Sequence, residues 1–304
     1  MLQRLPLLAC LLALPLCHPA LAQEPAPAPA PETGSDKDEA KKEPERLKEW
    51  PKVEDEAALK LEVKRLMKAS TENMGIQSAE ALGKMGAGIA PSLLGELSRT
   101  RDKDAMQRIE DVLDGVLGAP HTRLLGEHFL SKSPAERRYA MKIVAKNPDP
   151  GTREQAEKAF AEATKERTRW EAKDRYLAAL CCAASGSKTG LDDLITAACE
   201  NWGKTREDLS VSMLPLRDDT LTTDLIKRFD TGQRGDQVNG LRLLSIVGTQ
   251  AAVPFVKPLL DSGDASIRVA AINACRGIVD HEPPLGNISA FDAIELAKKW
   301  KDRL

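Results

Sequence analysis

From residue 57 onward, apolar residues recur every three or four positions. That spacing lines one face of an α-helix. Ile267, Ala270, Ala271, Ala274, Cys275 and Ile278 follow it, as do Leu241, Leu244 and Val247, and Ala79, Leu82 and Met85. A break and a second apolar stretch come after each of the last two sets. Gly86 precedes Ile89, Leu93, Leu94 and Leu97, and Gly248 precedes Ala252, Pro254, Val256 and Leu259. The predicted unit is therefore helix, turn, helix. Local chemistry agrees with it. Gly86 suits a left-handed helix stop. Pro91 falls in a first turn, where a missing N–H does little harm. Asp264 stands where a carboxylate can cap free N–H groups at the positive end of the dipole.

The units repeat. Asp264-Ala265-Ser266-Ile267-Arg268 and Asp104-Ala105-Met106-Gln107-Arg108 both read D-A-x-x-R. Ser133 to Arg138 and Glu171 to Arg175 occupy the same phase, and Leu93-Leu94-Gly95-Glu96 is echoed by Leu124-Leu125-Gly126-Glu127. Anchored on Arg268, equivalent positions fall at Gln77, Arg108, Arg138, Arg175, Arg206 and Asn239, with a mean step of about 32 residues. The Arg206 anchor is the weakest: no Ala occurs between 201 and 250, and the helix pattern blurs at the start of that region. The expected fold is all-α, about seven helical-hairpin repeats over 57–304. Residues 54–69 and Ala290–Arg303 would form the end helices. The second helices are expected near 88–99, 120–131, 151–165, 188–200, 217–230, 250–261 and 290–303.

The run Leu259 to Ala271 resembles the HEAT-repeat consensus, in which an acidic loop residue precedes a Val/Ile-Arg pair and small residues. Val247 to Pro254 is similar to the turn and second helix of a preceding HEAT unit. The similarity covers roughly 75–304 and is strongest over 75–98 and 238–279. The period is shorter than the ~40–47 residues of HEAT and armadillo repeats. It is closer to the short HEAT-like repeats of bacterial proteins and phycobilin lyases. Tetratricopeptide and ankyrin signatures do not recur. The resemblance implies an α-solenoid whose Arg268-type residues are structural, binding acidic side chains or backbone carbonyls between units. It also implies that second helices line the concave, binding face.

What precedes residue 57 reads differently. Residues 1–22 combine a short basic start, an apolar run too short to span a membrane, and Ala20-Leu21-Ala22 before Gln23. These are the parts of a secretory signal cleaved after Ala22, which predicts a periplasmic or secreted protein. A lipid anchor is not expected. Cys17 follows the large Leu16, and Cys10 has only a short apolar run before it. Residues 23–56 alternate Ala with Pro25, Pro27, Pro29 and Pro31, then become a charge run with eleven acidic and six basic residues. Low apolar content predicts a disordered linker, extended in its Ala-Pro part.

Composition narrows the function. The 39 Leu and 40 Ala, beside 30% charged residues, suit helices and exclude a many-span membrane protein. The net charge of −2 hides a linker at −5 and a repeat region at +2. The latter gives no field for steering onto nucleic acid. Aromatics at 4% argue against base or sugar stacking.

Candidate chemistry largely fails. Cys181, Cys182, Cys199 and Cys275 are expected as buried reduced thiols. A hairpin turning near Gly186 sets Cys199 roughly 12 Å beyond the level of Cys182, too far for a disulfide. His121 and His128 could share a helix face, but no third ligand is in register, so they are expected as exposed histidines. Ser185 to Gly190 lacks the preceding strand and the glycine of a phosphate loop, and reads as an inter-helix turn. Gly83 to Gly88 reads as a helix stop. Lys165–Arg175 interleaves acids with bases and reads as an ion-paired face. Asn287-Ile288-Ser289 is a sequon that matters only in a eukaryotic secretory pathway. No G-x-S-x-G is present. No catalytic, cofactor-binding or metal residue is assigned. The leading expectation is an exported, non-enzymatic scaffold for a protein or peptide, without nucleic-acid partner, cofactor or membrane span. The alternatives are a lyase-like or ligand-binding protein with a concave-groove site, and a structural element of an envelope assembly.

Overall fold

The computed structural model describes residues 45–304. The predicted signal, its cleavage site and most of the predicted linker lie outside the described residues. The described chain is all-α, with fourteen helices and no strand. They are α1 (Glu56–Met67), α2 (Glu72–Lys84), α3 (Ala90–Arg99), α4 (Lys103–Val116), α5 (Thr122–Gly126), α6 (Pro134–Lys146) and α7 (Arg153–Ala163). Then follow α8 (Ala172–Ala184), α9 (Leu191–Ser212), α10 (Asp219–Phe229), α11 (Arg234–Val247), α12 (Val253–Leu259), α13 (Ala265–Cys275) and α14 (Ala290–Arg303). No helix is long and apolar enough to cross a membrane among the described residues.

Side-chain caps set the helix starts. Asp55, Asp102 and Asp264 each accept two backbone N–H groups, and Ser133, Asp218 and Ser289 each accept one. Each cap contributes about 1 kcal/mol. Gly86, at φ 71°, turns the chain after α2. Helix α9 is interrupted at Asn201 (φ −151°, ψ 60°), so it comprises two helices meeting at a corner. That corner lies in the region where the sequence pattern blurs. Its first half closes one hairpin and its second half opens the next.

Packing runs serially. Helix α2 packs on α4, α4 on α6, α6 on α8, α9 on α11 and α11 on α13, while α7 lies on α8 and α10 on α11. The shared core is Leu-rich, with Leu82, Leu93, Leu97, Leu113, Leu125 and Leu244 fully buried. Ala140, Ala178, Ala179, Ala271 and Ala274 are fully buried at contact positions on the first helices. Small side chains there permit close helix approach.

The arginine register differs from the expected one. Ser133, Glu171 and Asp264 are the caps, so Arg137, Arg175 and Arg268 each stand four residues in. Arg138 is one position later, and Arg108, counted from the cap Asp102, is two later. The D-A-x-x-R match aligns Asp104 with the cap Asp264, but the cap of α4 is Asp102. Their partners vary. Arg268 donates to Ser262 O (2.6 Å), within its own turn. Arg108 donates to Leu66 O (3.0 Å), joining α4 to α1, and Arg138 to Asp174 Oδ1 (2.7 Å), joining α6 to α8.

Residues 45–55, predicted as disordered, are held against the helices. Arg46 hydrogen-bonds Ala119 O, reaches Pro148 O (3.0 Å) and ion-pairs with buried Asp149 (3.7 Å). Leu47 N–H donates to Pro120 O (2.8 Å). Trp50 stacks on His121 with ring centroids 6.0 Å apart, and Val53 packs on the core. Charge averaged over 23–56 concealed these anchors. The histidines also depart from expectation. His121 is buried beneath Trp50, and His128 is half-buried and bonds Glu136 (2.6 Å).

Candidate binding groove

After α13 the chain makes a π-type turn, Arg276–Asp280, and leaves it through His281 at φ 56°. Such turns, and left-handed non-glycine residues, concentrate at functional sites. His281 is the one non-glycine residue with positive φ among the described residues. The turn lies directly on α11. A Cβ at Gly277 would stand 1.8 Å from Ser245 O, so no other residue fits there without displacing backbone. The following segment is pinned on both sides. Arg276 pairs with Glu282 (2.7 Å) and donates to Pro283 O (3.2 Å). Leu285 N–H donates to Asn273 Oδ1 (2.8 Å).

Two grooves flank this segment and share Trp202, Arg206, Ser245, Pro284 and Gly286. The first is about 620 Å³ and adds Leu214, Arg217, Ile246, Gly277 and His281. The second is about 470 Å³ and adds Val238, Arg242, Val269 and Asn273. Both are walled by the second half of α9 and by α11, which are first helices of their hairpins. A smaller groove of about 300 Å³ on α6 and α8 continues along first helices. Another, of about 530 Å³, lies between α1 and α3.

Charge distinguishes the paired grooves. Arg217 donates to His281 Nδ1 (2.8 Å), Gly277 O (3.0 Å) and Ile278 O (3.2 Å). The first of these makes Nδ1 an acceptor, because a guanidinium only donates. Arg242 stands over the Trp202 ring at 5.7 Å and donates to Asn239 Oδ1 (3.3 Å). Burial lowers the pKa of both Arg217 and Arg242. Neither they nor Arg206 have a carboxylate partner among the described residues. Glu282 is taken by Arg276, and Glu207 at the rim is the one other acid lining the first groove. In the α6–α8 groove some of the charges are paired. Lys142 pairs with Glu110 and Asp114, and the Tyr139 hydroxyl donates to Asp114 (2.9 Å).

The other candidate residues do not converge. Among the described residues, no cluster of three or more His, Cys, Asp or Glu could hold a metal. Cys181, Cys182 and Cys275 are buried free thiols, but Cys199, on the first half of α9, is exposed, contrary to expectation. Burial pushes Cys182 and Cys275 up to about 12 and Cys181 well above its ordinary value. Gly186 and Gly190 carry positive φ in the turn joining α8 to α9. Lys165–Arg175 spans the α7–α8 connection, where Arg175 pairs with Asp193 and Lys165 with Glu162. Sequence reasoning did not single out Arg217, Arg242 or His281. The available signals were the Ala-free stretch 201–250 and the Pro283-Pro284 pair. No protein-family model matches this chain, and a search of curated proteins finds no relative.

Proposed function

We propose that this protein is an exported, non-enzymatic binding scaffold, a short-repeat HEAT-like α-solenoid that engages a protein or peptide. The serial packing of first helices, from α2 to α13, supports the solenoid arrangement. The reading of 1–22 as a secretory signal supports export. The carrying observation is the pair of adjoining grooves along α9, α11 and the 281–289 segment. An elongated surface of this kind suits an extended chain more than a compact metabolite. The proposed face is that of the first helices, not the second helices that the family resemblance implies.

The lyase-like alternative needs an accessible nucleophile. Three of the four described thiols are buried with raised pKa, which weighs against it. The test is cross-linking of the mature chain in its native extracytoplasmic fraction, with linkage sites read by mass spectrometry. The expected outcome is protein cross-links on α9, α11 or residues 281–289. Absence of any protein cross-link, together with turnover of a small molecule, would overturn the reading.

A further inference from the structure

We infer that the paired grooves beside His281 take an extended acidic peptide segment of a partner protein, with its carboxylates held by Arg206, Arg217 and Arg242. The inference rests on the scaffold reading and specifies the partner's chemistry.

The first argument is charge balance. Elsewhere in the fold, four partly or fully buried guanidinium groups meet carboxylates, Arg46 with Asp149, Arg137 and Arg138 with Asp174, and Arg276 with Glu282, while Arg108 and Arg268 each meet a backbone carbonyl. Three arginines line the paired grooves without a carboxylate partner among the described residues, and two of them are partly buried. A half-desolvated cation without a counter-charge is costly, and a carboxylate supplies the missing charge. Glu207 offsets part of this charge and leaves the site net positive.

The second argument is shape and lining. The two grooves share a floor at Trp202 and Ser245, so one strand of ligand can run through both. Leu214 and Ile246 in one groove, and Val238 and Val269 in the other, add apolar lining beside the arginines. Mixed cationic and apolar contacts match a segment that carries both acidic and apolar side chains. A nucleic acid would use a run of stacking aromatics, whereas Trp202 is the one aromatic lining these grooves.

The third argument is preorganisation. The frame is fixed before any ligand arrives, because Gly277 sits against Ser245 O and Arg217 clamps the π-type turn through two carbonyls. A rigid frame loses less entropy on binding.

The test uses the mature chain and a fluorescent peptide of alternating glutamate and leucine, read by anisotropy. Arg206→Gln and Arg242→Gln should each weaken binding about tenfold, the loss expected for one charge-assisted contact. Arg206 makes no ion pair among the described residues, so its variant should keep the thermal unfolding curve of the native chain, which separates lost contact from lost fold. Replacing every glutamate of the peptide with glutamine should abolish most of the affinity, and added salt should reduce it. The inference is overturned if the glutamine peptide binds equally well, if both variants bind like the native chain, or if single-stranded DNA of equal charge competes equally. A partner cross-linked by the native chain and retained by the Arg206→Gln/Arg242→Gln double variant would also overturn it, while leaving the scaffold reading standing.

Discussion

Asp174 is the position where a single substitution should cost most. Its carboxylate is fully buried and takes five donors. Arg137 Nε and Nη2 lie at 3.0 and 2.9 Å, Arg138 Nε and Nη2 at 2.7 and 2.8 Å, and the Glu171 N–H at 2.8 Å. The cluster joins α6 to α8 and caps α8, and Trp170 covers Arg137 at 4.6 Å. Asp174→Asn keeps the shape but removes the charge, and its amide faces donors with donors. Arg137, 3% exposed, then stays buried without a counter-charge. Arg138 is wetter and keeps Glu171 at 3.0 Å. Removing one partner of a buried pair costs ~3–5 kcal/mol. We expect the middle of that range, against a typical domain stability of ~5–15 kcal/mol. Urea unfolding followed by circular dichroism measures the loss. Hydrogen exchange in α6 and α8 locates it, which matters because serially packed hairpins need not unfold in one step. Arg137→Met with Asp174→Leu should recover much of the loss, since an apolar pair has no charge to desolvate. Acid should act on the same cluster. Burial pushes the Asp174 pKa up, but hydrogen bonds from Arg138, Arg137 and the Glu171 N–H outweigh it and hold the carboxyl well below its ordinary 3.8. Its contribution is therefore full above that value and fades as pH falls below it. A loss under ~1 kcal/mol for Asp174→Asn would refute the reasoning, because it would mean the two guanidinium groups are solvated after all.

Three further outcomes follow from the same geometry. Burial lowers the pKa of His121 from 6.5, partly offset by backbone hydrogen bonding at Gly118. The docking of residues 45–55 on that ring should thus be full above pH 6.5 and weaken as pH falls below it. Hydrogen exchange at Leu47 reads this, Trp50→Ala should mimic it at neutral pH, and unchanged protection in both would count against the anchor. Mild alkylation of the native protein should modify Cys199 first and reach Cys181, Cys182 and Cys275 on unfolding; early labelling of Cys182 would contradict the packing of α8. Gly277→Ala forces a Cβ against Ser245 O and should cost ~1–3 kcal/mol while distorting the groove, so native-like stability would disprove the close approach.

Helix type and order were legible because burial at one face leaves a periodic trace. Leu82, Leu93, Leu97, Leu241 and Leu244, read as core from spacing, are all fully buried. The end helices and the turns at Gly86 and Gly186 were equally readable, since caps and positive φ select few residue types. Register within the repeat was harder. Asp102 and Asp104 are equally plausible caps by sequence, and hydrogen bonding to Asp102 decides between them. The docked stretch 45–55 was invisible for another reason. Its anchors are single residues in a charged surround, and windowed composition averages them away.

The groove was legible least, and the reason is physical. Periodicity reports what a helix buries in its own hairpin, whereas Arg206, Arg217 and Arg242 are defined by what they lack, a partner across a gap between elements. A missing carboxylate has no sequence signature, because any of the chain's 46 acidic residues could have supplied it. The chain nevertheless leaves an indirect mark. The chain lacks Ala across 201–250, where α9 turns its corner and the 281–289 segment lines the same grooves as α9 and α11. A break in a packing repeat is therefore informative in itself. Where close contact is given up, a cavity opens, and the side chains lining it are relieved of core duty. In this chain Trp202, Arg206, Arg217 and Arg242 all lie within the 201–250 stretch. An aromatic surface set among uncompensated cations is better suited to an outside ligand than to holding helices together.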